Sequence, residues 1–436
     1  MGGRERGGMR GGGIRGEKTF KYLKCFYVPF VYISMSSRVL SVLSILLISD
    51  IYFFQAVKAL TNNPIIITSY WLIDLLLVAG MLFVMVIRRP NQSSPRLISW
   101  IMALLLISMV PKLCAVPLLL LEDIVRLFIG FPPRSEWVSY LALGIAAVPF
   151  FGLLYGLTRG RHDYRVRKET LYFDDLPKHF DGFTITQLSD IHSGSFTNKK
   201  GVEKGISMVN AQESDMILFT GDLVNNEATE MDPWIPAFSR LKAASGKFSV
   251  LGNHDYGDYK RWEKEGDKYA NLNRLKEVHT EIGFTLLLNE ATTIKRNGQS
   301  ISLIGVENWG KGGFHKYGDL KKATATVPDK AFKVLMSHDP SHWDAVALAH
   351  DKHIHLTLSG HTHGAQFGIE LFGFKWSPIK YLYRQWAGLY EKAGKYLYVN
   401  RGFGFLGLKG RVGIWPEITV ITLRAIDKNG VTLNNH

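Results

Sequence analysis

Four apolar stretches, at approximately 39–60, 65–87, 97–121 and 137–157, constrain this chain more than any other feature of it. Each has the length, roughly 20 residues, that a helix needs to cross the hydrocarbon core of a bilayer. A helix on the surface of a water-soluble protein keeps a polar face, and the run from Ile65 to Ile87 has none. The chain is therefore expected to fold as a membrane domain of four transmembrane helices over 39–160. A tail and juxtamembrane segment (1–38) precedes it and a second unit (161–436) follows.

Charge supports that division. The formal net charge is +14, and much of the excess flanks the apolar spans: Arg4, Arg6, Arg10, Arg15, Lys18, Lys21, Lys24 and Arg38, then Arg88, Arg89 and Arg96, then Arg159, Arg161, Arg165, Arg167 and Lys168. Such placement is the signature of membrane orientation, in which Lys and Arg stay on the cytoplasmic side. It does not suggest a nucleic-acid surface, and no nucleic-acid partner is expected. The loop Thr61–Pro64 carries no basic residue and the loop Glu122–Glu136 is mixed. Both termini, and with them the second unit, are thus expected on the cytoplasmic side of a cell (inner) membrane. Pro111-Lys112 interrupts the third span, and a re-entrant third span would reverse that side.

Asp50, Asp74 and Lys112 lie inside the spans, where ionisable groups are costly and face a protein interior, a cavity or an interface. Asp74 and Lys112 could pair, or each could snorkel to a helix end. Cys25 and Cys114 are the only cysteines; they make no disulfide framework and leave the redox compartment open. Residues 1 to about 18 read as a disordered basic tail suited to contact with membrane lipids of negative charge. No cleavable signal pattern is expected there, and Arg6 stands where a myristoylation signal needs Ser or Thr.

After Gly160 the texture becomes short apolar runs alternating with helical stretches. Strands are expected at Phe183–Leu188, Met216–Phe219, Phe248–Leu251, Ile301–Gly305, Lys333–Met336 and Ile354–Leu358, with a hairpin turning at Asn297-Gly298. Five polar clusters sit at strand ends, where α/β sheets place ligands: Ser189-Asp190-Ile191-His192, Gly221-Asp222, Gly252-Asn253-His254-Asp255, Ser337-His338-Asp339 and Gly360-His361-Thr362-His363-Gly364. In an extended segment, Asp190 and His192 would point the same way, as would His361 and His363. Carboxylates, imidazoles and an amide carbonyl together suit divalent Mn, Fe or Zn better than Ca.

These clusters, in this order, resemble the signature of the calcineurin-like metallophosphoesterases: D-x-H, G-D, G-N-H-[DE], a lone H, then G-H-x-H. Leu251–Gly257, the run at 360–364, Leu397–Gly404 and Pro416-Glu417-Ile418 further resemble the bacterial branch that includes transmembrane proteins with a metallophosphoesterase domain. The resemblance covers about 164–425. It implies an α/β fold, a four-layer α-β-β-α sandwich of two mixed sheets, preceded here by the all-α membrane region.

The resemblance also implies two divalent metal ions, one held by Asp190, His192 and His363, the other by Asn253, His338 and His361, with Asp222 bridging. It makes His254 the group that protonates the leaving oxygen and Asp255 the residue that orients the His254 ring. Ala365 departs from the branch, which often has Gly there, but lies outside the ligand set. Arg401 is expected either to contact a phosphate or to be a surface arginine. The implied activity is hydrolysis of a phosphodiester or pyrophosphate bond. Some relatives on this branch act on UDP-2,3-diacylglucosamine in lipid A synthesis. A broad-specificity phosphodiesterase, a nucleotide hydrolase and a catalytically silent membrane receptor or scaffold are the alternatives, and the native metals and oligomeric state stay open.

Overall fold

The computed structural model describes residues 27–83 and 95–426. The basic tail, Cys25, and Arg88 and Arg89 lie outside them. The chain divides into two compact units, Met1–Leu75 with Ser108–Pro149 and Leu76–Ile107 with Phe150–His436.

The first unit is helical, drawn from α1 (Tyr27–Leu60), α2 (Pro64–Leu82), α3 (Pro95–Phe128) and α4 (Glu136–Thr158). Among the described residues, 64–82, 100–128 and 136–158 are long and apolar enough to cross a membrane. Pro111 does not interrupt the third: α3 runs as one continuous helix through Pro111 and Pro117. Leu72, Leu75, Leu121 and Phe128 point outward and are exposed, while the interior is lined by Ala56, Ala115, Leu119 and Ala142. This is the reverse of a water-soluble bundle and the ordinary arrangement in lipid, where small residues let helices approach. The interior also holds the three ionisable residues. Lys112 Nζ lies 2.5 Å from Asp50 Oδ1 and 2.5 Å from Asp74 Oδ2, Ser108 Oγ donates to Asp74 Oδ1 at 2.8 Å, and Tyr70 Oη donates to the Asp50 carbonyl at 2.9 Å. The pairing of Asp74 with Lys112 is made, and it includes Asp50. Cys114 is a free, exposed thiol on α3.

Among the described residues, the second unit is built on fourteen strands. They are β1 (Arg165–Phe173), β2 (Thr184–Leu188), β3 (Met216–Phe219), β4 (Lys247–Ser249), β5 (Thr285–Leu286), β6 (Glu290–Arg296), β7 (Gln299–Gly305), β8 (Lys333–Met336), β9 (Leu356–Ser359), β10 (Ile369–Leu371), β11 (Phe374–Trp376), β12 (Gly388–Lys392), β13 (Lys395–Val399) and β14 (Glu417–Ala425). Two six-stranded mixed sheets run β1-β14-β2-β3-β4-β5 and β12-β13-β9-β8-β7-β6, and β10-β11 is a separate hairpin.

Why these runs are uniformly apolar follows from their two neighbours. Met216 and Leu218 face the core between the sheets, where they meet Val334, Leu356 and Tyr398. Ile217 and Phe219, pointing the other way, pack with Val202, Ile206 and Leu275 of the helices Lys199–Asn210 and Glu265–Glu281. Beyond the second sheet, Leu335 and Leu397 pack on Leu320, Trp343 and Ala347. A strand covered on both faces loses the polar alternation of a half-exposed one, and the layers are α-β-β-α.

The Asn297-Gly298 turn joins β6 to β7 with Arg296 opposite Gln299. Both turn residues have positive φ, 47° and 79°, as a two-residue type I′ hairpin requires.

Candidate metal centre

β2, β3 and β4 are parallel neighbours in one sheet, and β8 and β9 are parallel neighbours in the other. All five therefore end on the same edge of the sandwich, and all five polar clusters emerge there. The chain does not leave the strands in extended form. Asp190, His192, Asp222, His361 and His363 have φ of 52°, 48°, 61°, 70° and 50°. Left-handed backbone is costly for residues with a Cβ and persists where the surroundings over-determine it. The expected extended geometry of Asp190–His192 and His361–His363 is corrected accordingly: strained turns, not strand alternation, bring these side chains together.

Two glycines make room for the carboxylates. A Cβ on Gly252 would lie 2.2 Å from Asp222 Oδ1, and one on Gly360 would lie 1.9 Å from Ser189 Oγ and 2.2 Å from Asp190 Oδ2. The carboxylates are then fixed by backbone donors. Both Asp190 oxygens accept from the His361 N–H at 3.0 Å, and Asp222 Oδ1 accepts from the His254 N–H at 2.9 Å.

The donor atoms converge in two groups. In one, His363 Nε2 lies 3.0 Å from His192 Nε2 and 3.3 Å from Asp190 Oδ1. In the other, Asn253 Oδ1 lies 3.1 Å from His338 Nε2 and 2.8 Å from His361 Nδ1. Asp222 Oδ2 stands between them, 3.5 Å from His192 Nε2 and 3.2 Å from His338 Nε2. Asp190, His192 and His363, and separately Asp190, Asp222 and His338, are close enough to share an ion. Asp190, His192, Asp222, Asn253, His338 and His363 are buried and His361 is partly so.

Burial holds His192 down to about 3 and His361 to about 4, and holds His363 well below the ordinary imidazole range. These rings keep free lone pairs. Burial pushes Asp190 up to about 6. Burial acts the same way on Asp222, but the facing His338 and His254 rings overcome it and hold that carboxyl well below the usual range. His338 is pushed up to about 10, its burial outweighed by the Asp222 charge. Imidazole nitrogens, carboxylate oxygens and an amide oxygen converge here within reach of one another, and that donor set fits divalent metal ions.

His254 stands beside the cluster, its ring 4.9 Å from that of His192 and 4.4 Å from that of Tyr259. The expected contact between Asp255 and the His254 ring is not made. His254 Nδ1 instead donates to the Asn225 carbonyl at 2.8 Å. Asp255 is fully buried, and its carboxylate accepts from the backbone N–H groups of Asp222, Leu223 and Gly252 at 2.8–2.9 Å. It staples the β3 and β4 loops together, because a side chain that short, turned inward, reaches backbone and not the ring. Arg401 is corrected too. It is buried, with Nη1 on Glu417 at 2.5 Å and Nη2 on Glu370 at 2.6 Å, and so is not a surface arginine; its guanidinium is held between two carboxylates.

Several residues at the site carry no motif signal. Tyr383 Oη lies 2.7 Å from His361 Nε2, which leaves Nδ1 as the inward atom of that ring. Asn253 Nδ2 donates to Tyr259 Oη at 2.8 Å, turning the amide oxygen inward. Fully buried Arg411 places Nη2 3.2 Å from His363 Nδ1, while its backbone N–H donates to the Gly156 carbonyl near the end of α4 at 3.1 Å. A cavity of about 530 Å³ opens over the cluster, lined also by Lys311, Phe314, Ile379, Leu382 and Leu406.

Comparison with known proteins agrees with this geometry. Residues 36–161 match the family model described as "Probable Calcineurin-like phosphoesterase, transmembrane domain", and residues 183–365 match "Calcineurin-like phosphoesterase". An uncharacterised metallophosphoesterase of Bacillus subtilis, YkuE, is 31% identical over 268 residues, 61% of this chain and 87% of the relative. "Transmembrane protein with metallophosphoesterase domain" of Danio rerio is 27% identical over 296 residues, 66% of this chain and 62% of the relative. "Phosphodiesterase YaeI" of Escherichia coli is 27% identical over 293 residues, 66% of this chain and 98% of the relative. With candidate metal ligands gathered at one edge of two mixed sheets and a stretch before them that matches the family's transmembrane domain, the chain belongs to the calcineurin-like metallophosphoesterases and is a membrane-associated member of that family.

Proposed function

We propose that this protein hydrolyses a phosphodiester or pyrophosphate bond of a lipid-linked substrate, with two divalent ions held as the sequence implies. Asp190, His192 and His363 would hold one ion, Asn253, His338 and His361 the other, and Asp222 both. Ions there would supply Lewis acidity toward phosphoryl oxygens and a nucleophile available at neutral pH. The chain's own contribution is positional. Backbone donors aim the two carboxylates inward, and the Asn225 carbonyl fixes the Nδ1 proton of His254. The Nε2 side of that ring is left to face the cavity and protonate the departing oxygen.

The observation that carries the lipid-linked reading is the cavity's divided lining. Metal-compatible groups form one part, and Phe314, Ile379, Leu382 and Leu406 form another. A phosphate group flanked by an apolar chain satisfies both. UDP-2,3-diacylglucosamine has that character, which would put the enzyme in lipid A biosynthesis. The second reading is a broad phosphodiesterase, the activity that the name of the Escherichia coli relative carries.

The test uses the full chain purified in detergent, since Gly156 of α4 supports the Arg411 backbone. Reconstituted with Mn, it should bind about two metal equivalents and turn over UDP-linked lipids faster than soluble phosphodiesters or phosphomonoesters. Preference for the soluble diesters would favour the second reading. Metal uptake without turnover of any of them would make the protein a receptor.

We also propose that a membrane domain of residues 39–160 places the catalytic domain, 161–436, on the cytoplasmic side of the cell membrane. Arg126 in the last turn of α3 is paired with Asp123, and Arg134 in the α3–α4 connection with Glu122 and Asp123, so that end of the helices carries little free positive charge to hold it inside. In intact cells, Thr170→Cys should be protected from an impermeant thiol reagent and Asn62→Cys labelled. The opposite pattern would reverse the orientation.

A further inference from the structure

The β10-β11 hairpin is inside out. Ile369 pairs with Trp376 and Leu371 with Phe374 across the two strands, while Glu370 pairs with Lys375. In water the charged pair would face solvent. Here Glu370 is half-buried and binds Arg401 and Arg167, while Lys375, itself exposed, bends its Nζ back to donate to the Ala387 carbonyl and lie 5.0 Å from the Trp386 ring centroid. Ile369, Leu371 and Phe374 are turned out, and Phe372 at the tip is 99% exposed. The chain then runs through Ser377 to Tyr381 and Leu382, both largely exposed, and Leu382 lines the catalytic cavity. Lys380 and Arg384 flank this surface and are exposed. Exposed apolar side chains in one contiguous patch, rimmed by basic residues, mark an interaction surface.

What covers it follows from where the hairpin is rooted. The Gly368 N–H donates to the Val412 carbonyl at 2.9 Å, and Phe367 bridges to Val412. The neighbouring Arg411 N–H donates to Gly156 near the end of α4, and Trp415 packs edge-on against Tyr155 of the same helix, ring centroids 5.6 Å apart. The segment 411–415 thus holds the hairpin and the emerging end of a membrane-spanning helix at once. All of these residues belong to one compact unit.

We propose that the hairpin 369–376 is an interfacial anchor, with Leu371, Phe372 and Phe374 seated in the bilayer from which α4 emerges and Lys380 and Arg384 at its anionic headgroups. Interfacial segments of this composition bury their apolar face about 5–10 Å into the headgroup and acyl boundary. The anchor sets the cavity rim at Leu382 against the lipid surface. The assignment rests on the chain's membrane placement and not on the identity of its substrate.

The test places an environment-sensitive fluorophore at Phe372→Cys in the full chain carrying Cys25→Ser and Cys114→Ala, in nanodiscs of phosphatidylcholine and phosphatidylglycerol. A second label at exposed Tyr269→Cys serves as the reference. The label at 372 should be quenched by lipids bearing a nitroxide high on the acyl chain and protected from aqueous iodide, and the label at 269 should show the opposite. Equal iodide quenching at both positions would overturn the proposal. Protection from iodide without lipid quenching would also overturn it, because a second copy of the chain would then cover the hairpin. Leu371→Ser with Phe372→Ser should leave turnover of soluble bis(p-nitrophenyl) phosphate unchanged while iodide protection is lost at a Phe374→Cys label. Retained protection there would again sink the anchor. None of these readouts needs a lipid substrate, so a wrong substrate assignment and a wrong anchor give different results.

Discussion

Asp222→Asn is expected to remove both metal ions together and to lower turnover by on the order of 10³-fold or more. The substitution is close to isosteric, and the asparagine oxygen can still accept from the His254 N–H where Asp222 Oδ1 now accepts at 2.9 Å. The negative charge is lost. That charge stands 3.5 Å from His192 Nε2 and 3.2 Å from His338 Nε2, between the two donor groups, and is held well below the ordinary carboxyl range by the rings facing it. Bound ions contribute several kcal/mol to stabilising transition-state charge, and each ~1.4 kcal/mol is a decade of rate. Elemental analysis after Mn reconstitution reads the metal content, and single-substrate kinetics reads turnover. A variant that keeps one full equivalent would show that Asp222 serves one ion and does not join two.

His254→Ala separates chemistry from metal binding. His254 is not among the converging donors, and its Nδ1 is committed to the Asn225 carbonyl, so both ions should stay while turnover falls by about 10²–10⁴-fold, the range for a general acid. The loss should be largest for alkoxide leaving groups and much smaller for p-nitrophenolate, which departs without a proton. Misfolding or metal loss would slow both alike. An equal loss on the two substrates, with metal content intact, would remove the acid role from His254.

The five clusters that gather at the metal centre were legible because each follows a strand whose run of Ile, Leu, Val, Phe and Met is long enough to read. Strand bounds strayed where burial continues past the ladder. Val250 and Leu251 are buried and apolar, yet β4 stops at Ser249, since the chain must already turn toward Asn253. The role of Asp255 was misread because adjacency to His254 says nothing about which way a side chain leaves a turn. Arg401 was misread for a related reason: its partners, Glu370 and Glu417, are 31 and 16 residues away, and sequence spacing does not mark an ion pair closed across sheets. Tyr383, Tyr259 and Arg411 left no trace, as a supporting hydrogen bond has no motif. The hairpin 369–376 carries no strand signal, because Ile369, Leu371 and Phe374 are apolar yet exposed and Glu370 between them turns in to Arg401.

The three charges buried among the N-terminal helices bear on how the protein is made. Asp50, on α1, and Asp74, on α2, leave the ribosome before Lys112, on α3, so for a time the nascent chain presents two acids to the insertion machinery without their base. A centrally placed aspartate costs about 2.5–3.5 kcal/mol to insert, and neither helix recovers that until α3 arrives to place Nζ 2.5 Å from both carboxylates. Insertion of the first two helices is therefore expected to be more complete when α3 follows with Lys112 than when Lys112 is replaced by Ala, which glycosylation-site mapping of truncated nascent chains would read.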